Sequence, residues 1–90
     1  MNKTYQIIVS GKVQGVFYRE STQNKAKELG LCGTVKNLKT GEVEIFIAGD
    51  ENIIHKLVDW CKIGPRNSKV NEIIIKEIDN QKFIDFKILF

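Results

Sequence analysis

The chain is poor in the residues that usually carry catalysis. Among 90 residues there is one histidine, His55, one proline, Pro65, and two cysteines, Cys32 and Cys61. The cysteines lie far apart without CxxC spacing, and no second histidine is present to complete a metal site, so no metal is expected there. No cofactor is expected either. Free thiols of a cytoplasmic protein are the reading that follows, with a single disulfide as the alternative. His55 falls in a helical stretch and reads as a solvated surface residue. No run approaches the roughly 18 apolar residues of a membrane span. Met1-Asn2-Lys3 leads straight into a strand pattern, without the apolar stretch of a signal peptide. The net charge of +3 comes from twelve lysines and two arginines spread along the chain, which argues against a broad nucleic-acid footprint. Neither membrane nor nucleic acid is therefore an expected partner.

With 42% hydrophobic and 28% charged residues, the chain is globular in composition, and its length suits a single domain spanning 1–90. Thr4 to Ser10 alternates as a strand and stops at Gly11. A first helix is predicted from Tyr18 to Leu29, with Tyr18, Thr22, Ala26 and Leu29 on one face and Gly30 as the stop. A second strand covers Gly33 to Leu38, Lys39-Thr40-Gly41 forms a hairpin turn, and Glu42 to Ala48 is the clearest strand, with Val43, Ile45 and Ile47 facing one way. Gly49 ends it, and Asp50 is a suitable N-cap for a helix through Lys62. The stripe Ile53, Ile54, Leu57, Val58 and Cys61 is packing, and Gly64-Pro65 breaks the helix. A strand from Val70 to Ile78, a turn over Asp79 to Lys82 and a short strand from Phe86 to Phe90 complete the chain.

The order strand, helix, strand, strand, helix, strand is the split β-α-β pattern. It predicts an α+β, ferredoxin-like sandwich: an antiparallel sheet with two helices on one face and a short extra C-terminal strand. In such a unit the first and second strands run the same way and end at one edge. The stretch Gly11 to Arg19 leaves the first strand there, and Asn37 lies near the end of the second strand at the same edge. Gly11 and Gly15 flank the turn, and glycine lets an oxyanion approach main-chain N–H groups closely. With the open helix N-terminus and the guanidinium of Arg19, these donors suit an anion. Arg19 near a helix start opposes the helix dipole unless an anion is present. Asn37 interrupts a strand with a poor β-former. Their bland readings are a surface arginine, an approach to a turn, and two ordinary turn glycines.

Gly11-Lys12-Val13-Gln14-Gly15-Val16-Phe17-Tyr18-Arg19 resembles the G-x-V-Q-G-V-x-[FY]-R signature of the acylphosphatase family. Gly33 to Glu44 resembles its second signature, G-x-V-x-N-x-x-x-G-x-V-E. The resemblance implies metal-independent hydrolysis of small-molecule acyl phosphates to carboxylate and inorganic phosphate. By matching position, Arg19 would bind the phosphate with loop N–H groups of Gln14, Gly15, Val16, Phe17 and Tyr18, and Asn37 would orient the attacking water. Inorganic phosphate would be product and competitive inhibitor, and a monomer is expected. The chain departs from the family at its end, where Leu89 and Phe90 replace a common arginine and tyrosine, so support for the site must come from elsewhere or be weaker.

Three rivals accompany this reading. An RNA-binding module would use aromatic residues on the open sheet face, such as Phe46, although the aromatic-rich RNP signature is absent. A carrier domain would bind an anion without turning it over. A module within a larger carbamoyl-transferring protein would keep the family and change the use.

Overall fold

The computed structural model describes residues 2–90. The elements are β1 (Asn2–Lys12), α1 (Tyr18–Glu28), β2 (Cys32–Asn37), β3 (Val43–Asp50), α2 (Glu51–Cys61), β4 (Lys69–Ile78) and β5 (Phe86–Leu89). One five-stranded sheet runs in the order β4-β1-β3-β2-β5. β3 pairs antiparallel with both β1 and β2, so β1 and β2 point the same way and end at one edge.

Alternation decides which face is covered. Ile7, Val9, Val35, Val43, Ile45 and Ile47 are fully buried, while intervening residues such as Glu44 and Phe46 stay partly exposed. Both helices cover the buried face. α2 contributes Ile54, Leu57, Val58 and Cys61 to this core, and Ile53 packs at its margin. Asp50 caps the helix as expected, its carboxylate accepting from the N–H groups of Asn52 at 2.9 Å and Ile53 at 3.3 Å. The strand does not end at Gly49 but runs on to Asp50, so the cap residue is also the last strand residue.

α1 buries Tyr18, Thr22 and Ala26. The Tyr18 phenol donates to the carbonyl of Cys61 at 2.7 Å, and its ring packs against Trp60 with centroids 5.6 Å apart. That buried bond joins the start of one helix to the end of the other and contributes about 1 kcal/mol net. Burial raises the Tyr18 phenol well above its ordinary range and pushes the Cys61 thiol up to about 12. Neither offers a nucleophile near neutral pH. Both cysteines are free, Cys61 in the core and Cys32 at its margin, and His55 is on the surface.

Two further features differ from the sequence-based expectation. β1 does not stop at Gly11: after a bulge between Ser10 and Gly11, it continues to Lys12 paired with β4. Gly11 has φ 128°, and a Cβ there would collide with the carbonyl oxygen of Lys69, so its glycine serves the strand pair and not the loop. The second difference is β5, which pairs parallel to β2 and makes the sheet mixed. Residues 79–85 are a crossing and not a simple turn. They span four strand spacings, roughly 19 Å, well within the roughly 26 Å their extended backbone can reach. The Gln81 N–H donates to the buried Thr4 hydroxyl at 3.1 Å on the way. The parallel direction brings the end of β5 to the edge where β1 and β2 also end.

Candidate active site

That edge holds a cleft of about 330 Å³ lined by Val13, Gly15, Phe17, Tyr18, Arg19, Glu20, Asn37, Ile88 and Phe90. Three segments distant in sequence meet there: the loop after β1, the end of β2 and the end of β5.

The loop is built to expose main-chain donors. Gly15 has φ 75°, and the space where its Cβ would point is open, so glycine is required there by conformation and not by crowding. Phe17 occupies the N-cap of α1 in the left-handed region, φ 62° and ψ 27°, and offers no side-chain cap. Among the described residues, none supplies an acceptor to the N–H groups of Gln14, Gly15, Val16, Phe17 and Tyr18. The last two belong to the N-cap and first residue of α1, a helix start whose partial positive charge favours an anion.

Arg19 stands in the first turn of α1. One guanidinium nitrogen donates to the carbonyl of Leu89 at 3.1 Å, and the group lies over the Phe90 ring, 4.9 Å from its centroid. A guanidinium has five N–H donors, so this bond leaves most of the fork free. The side chain of Gln23 donates to the carbonyl of Phe86 at 2.9 Å, tying α1 to β5 one turn further on. Support from β5 thus reaches Arg19 through a main-chain carbonyl and an aromatic ring, despite the loss of the usual terminal Arg-Tyr pair.

Asn37 is the last residue of β2, paired with Val43. Its Oδ1 is buried and has no hydrogen-bond partner among the described residues. Such an oxygen costs about 1–3 kcal/mol when nothing satisfies it.

Gln14 links these two walls. Its side-chain amide donates to the carbonyls of Leu38 at 2.8 Å and Glu42 at 2.9 Å. Both amide hydrogens are therefore used to hold the loop against the β2–β3 turn, directly beside Asn37. The sequence reading gave Gln14 only a main-chain role; its side chain carries this second one. Gln14 and Val16 do not line the cleft, and Val16 is buried. Ile88 and Phe90 were missed as lining residues because their approach depends on the parallel strand. Glu20 also lies on the rim. Among the described residues no group of three or more metal-ligating side chains occurs.

Chemically, the cleft offers a fixed cation, a set of open N–H donors and one buried amide oxygen. Such a set suits the binding of a phosphoryl group and the positioning of a water molecule.

A family model described as Acylphosphatase matches residues 5–88. The chain is 46% identical over 84 residues to a Marinobacter nauticus protein named acylphosphatase, covering 92% of this chain and 91% of the relative. Its fold matches an acylphosphatase structure from Coxiella burnetii at TM-score 0.95 and 41% identity, covering 98% of this chain and 93% of the other. It also matches an acylphosphatase structure from Bacillus subtilis over the full length of both, at TM-score 0.94 and 38% identity.

Proposed function

The chain belongs to the acylphosphatase family and hydrolyses acyl phosphates, and from that premise we propose that Arg19 and Asn37 divide the chemistry between them. Arg19 and the main-chain N–H groups from Gln14 to Tyr18 hold the phosphoryl oxygens. The side chain of Asn37 holds the water. The observation that carries this reading is the buried, unpaired Oδ1 of Asn37 on the wall of the cleft that contains Arg19.

The steps balance without a protein nucleophile. The Asn37 side-chain amide hydrogen-bonds to water and aims the water oxygen at phosphorus. The P–O bond to water forms as the bond to the acyl oxygen breaks, and the carboxylate leaves with its electron pair. A carboxylate is a good leaving group at neutral pH, so no general acid is needed. The water proton ends on the phosphate product. Phosphoryl transfer depends mainly on positioning and on neutralising oxygens that are already charged, and a guanidinium fork does both.

The substrate is a small-molecule acyl phosphate. The proposal assigns the activity to residues 1–90 as a single domain acting as a cytoplasmic monomer, with inorganic phosphate as product and competitive inhibitor and with neither nucleic acid nor membrane as partner. The separate, free thiols of Cys32 and Cys61 support that compartment. Among the described residues, no helix is long and apolar enough to cross a membrane.

Benzoyl phosphate provides the test. Phosphate release is expected to proceed at an unchanged rate after exhaustive chelation, because every role above is filled by the chain. Loss of activity on chelation, restored by a divalent cation, would overturn the metal-independent reading.

A further inference from the structure

We propose that Phe17 and Phe90 form a subsite for the acyl group, which makes this chain selective for acyl phosphates with an apolar acyl group of aryl size. The inference rests on the placement of the phosphoryl group described above.

The residues that line the cleft are of two chemical kinds. Arg19, Glu20 and Asn37 are polar, while Val13, Phe17, Ile88 and Phe90 are apolar, with the Phe90 ring beside the Arg19 guanidinium. With the phosphoryl group held by Arg19 and the loop N–H groups and water attacking in line, the acyl oxygen leaves on the side opposite to Asn37. The acyl group then extends toward the apolar residues of the lining.

Phe17 and Phe90 are 76% and 99% exposed, so neither ring is there to fill the core. Phe17 moreover contradicts two local preferences. It sits at a helix N-cap, where Ser, Thr, Asp or Asn would bond the open N–H groups, and it takes a positive φ that favours Gly or Asn. The signature that the loop resembles leaves position 17 unspecified. A residue that breaks local rules without a packing gain is where a functional demand is expected. Two exposed rings at the rim, with Ile88 of β5 partly buried against the core, present the surface that an aryl group covers by offset or edge-to-face packing.

The experiment compares kcat/KM for benzoyl phosphate and acetyl phosphate in the wild type, Phe17→Ala, Phe17→Leu and Phe90→Ala. Because the main-chain N–H of Phe17 belongs to the cradle, the ratio between substrates is read, which cancels damage common to both. The benzoyl-to-acetyl ratio is expected to fall about tenfold in Phe17→Ala and in Phe90→Ala, mainly through the KM for benzoyl phosphate, with Phe17→Leu between. An unchanged ratio in both alanine variants would overturn the subsite while leaving the hydrolytic site standing. A wild type that turns over neither substrate would overturn the function and the subsite together.

Discussion

Replacing Arg19 by alanine is expected to lower kcat/KM for benzoyl phosphate by about a thousandfold or more, the range seen when a phosphoryl-binding arginine is lost. The loss has two parts. The ground state loses the one side-chain cation among the described residues that line the cleft, so inhibition by inorganic phosphate should weaken by at least about tenfold. The transition state loses a donor fork aimed at the equatorial oxygens, so kcat should fall as well. Arg19→Lys keeps the charge and loses the planar fork, and should recover only a fraction of the activity. Folding is not at issue, because Arg19 is bound to the structure by one exposed bond to Leu89 and by stacking on Phe90. A denaturation midpoint shifted by no more than about 0.5 kcal/mol is the corresponding expectation. Steady-state kinetics with phosphate as inhibitor check both parts, and undiminished turnover would remove Arg19 from the mechanism.

Replacing Asn37 by alanine should separate binding from chemistry. kcat is expected to fall about 10²- to 10³-fold, as when one preorganised polar group is removed from a site. The inhibition constant for phosphate should stay within about threefold of the wild type, since the cradle and Arg19 are untouched. The stability effect has an unusual sign. Asn37 Oδ1 is buried without a partner, so its removal deletes an unsatisfied group, and the variant should be as stable as the wild type or more stable by up to about 1 kcal/mol. A variant that is markedly destabilised while turnover is preserved would make Asn37 a structural residue.

Much of this was legible in the sequence because it depends on local periodicity or on topology. The alternation of Val43, Ile45 and Ile47 marked β3 and its covered face. Asp50 announced the start of α2, and the βαβ order alone brought Asn37 to the loop after β1. What was not legible depends on contacts between distant segments. Gly11 reads as a loop glycine until Lys69 is seen beside it, because only the partner strand shows why a Cβ is excluded. Residues 79–85 have the composition of a turn, and nothing local says that they cross the whole sheet. Phe90 accordingly read as a departure from a terminal pattern, whereas the parallel register of β5 sets it over Arg19. The side chain of Gln14 belongs to the same class: its role lies in the carbonyls of Leu38 and Glu42, which no spacing rule within the loop reveals.

The division of labour between Arg19 and Asn37 requires water to attack phosphorus, held by the loop, and not the acyl carbon. Hydrolysis of benzoyl phosphate in oxygen-18 water, followed by mass spectrometry of both products, tests this directly. The account predicts the label in inorganic phosphate and none in benzoate; label in benzoate would contradict it.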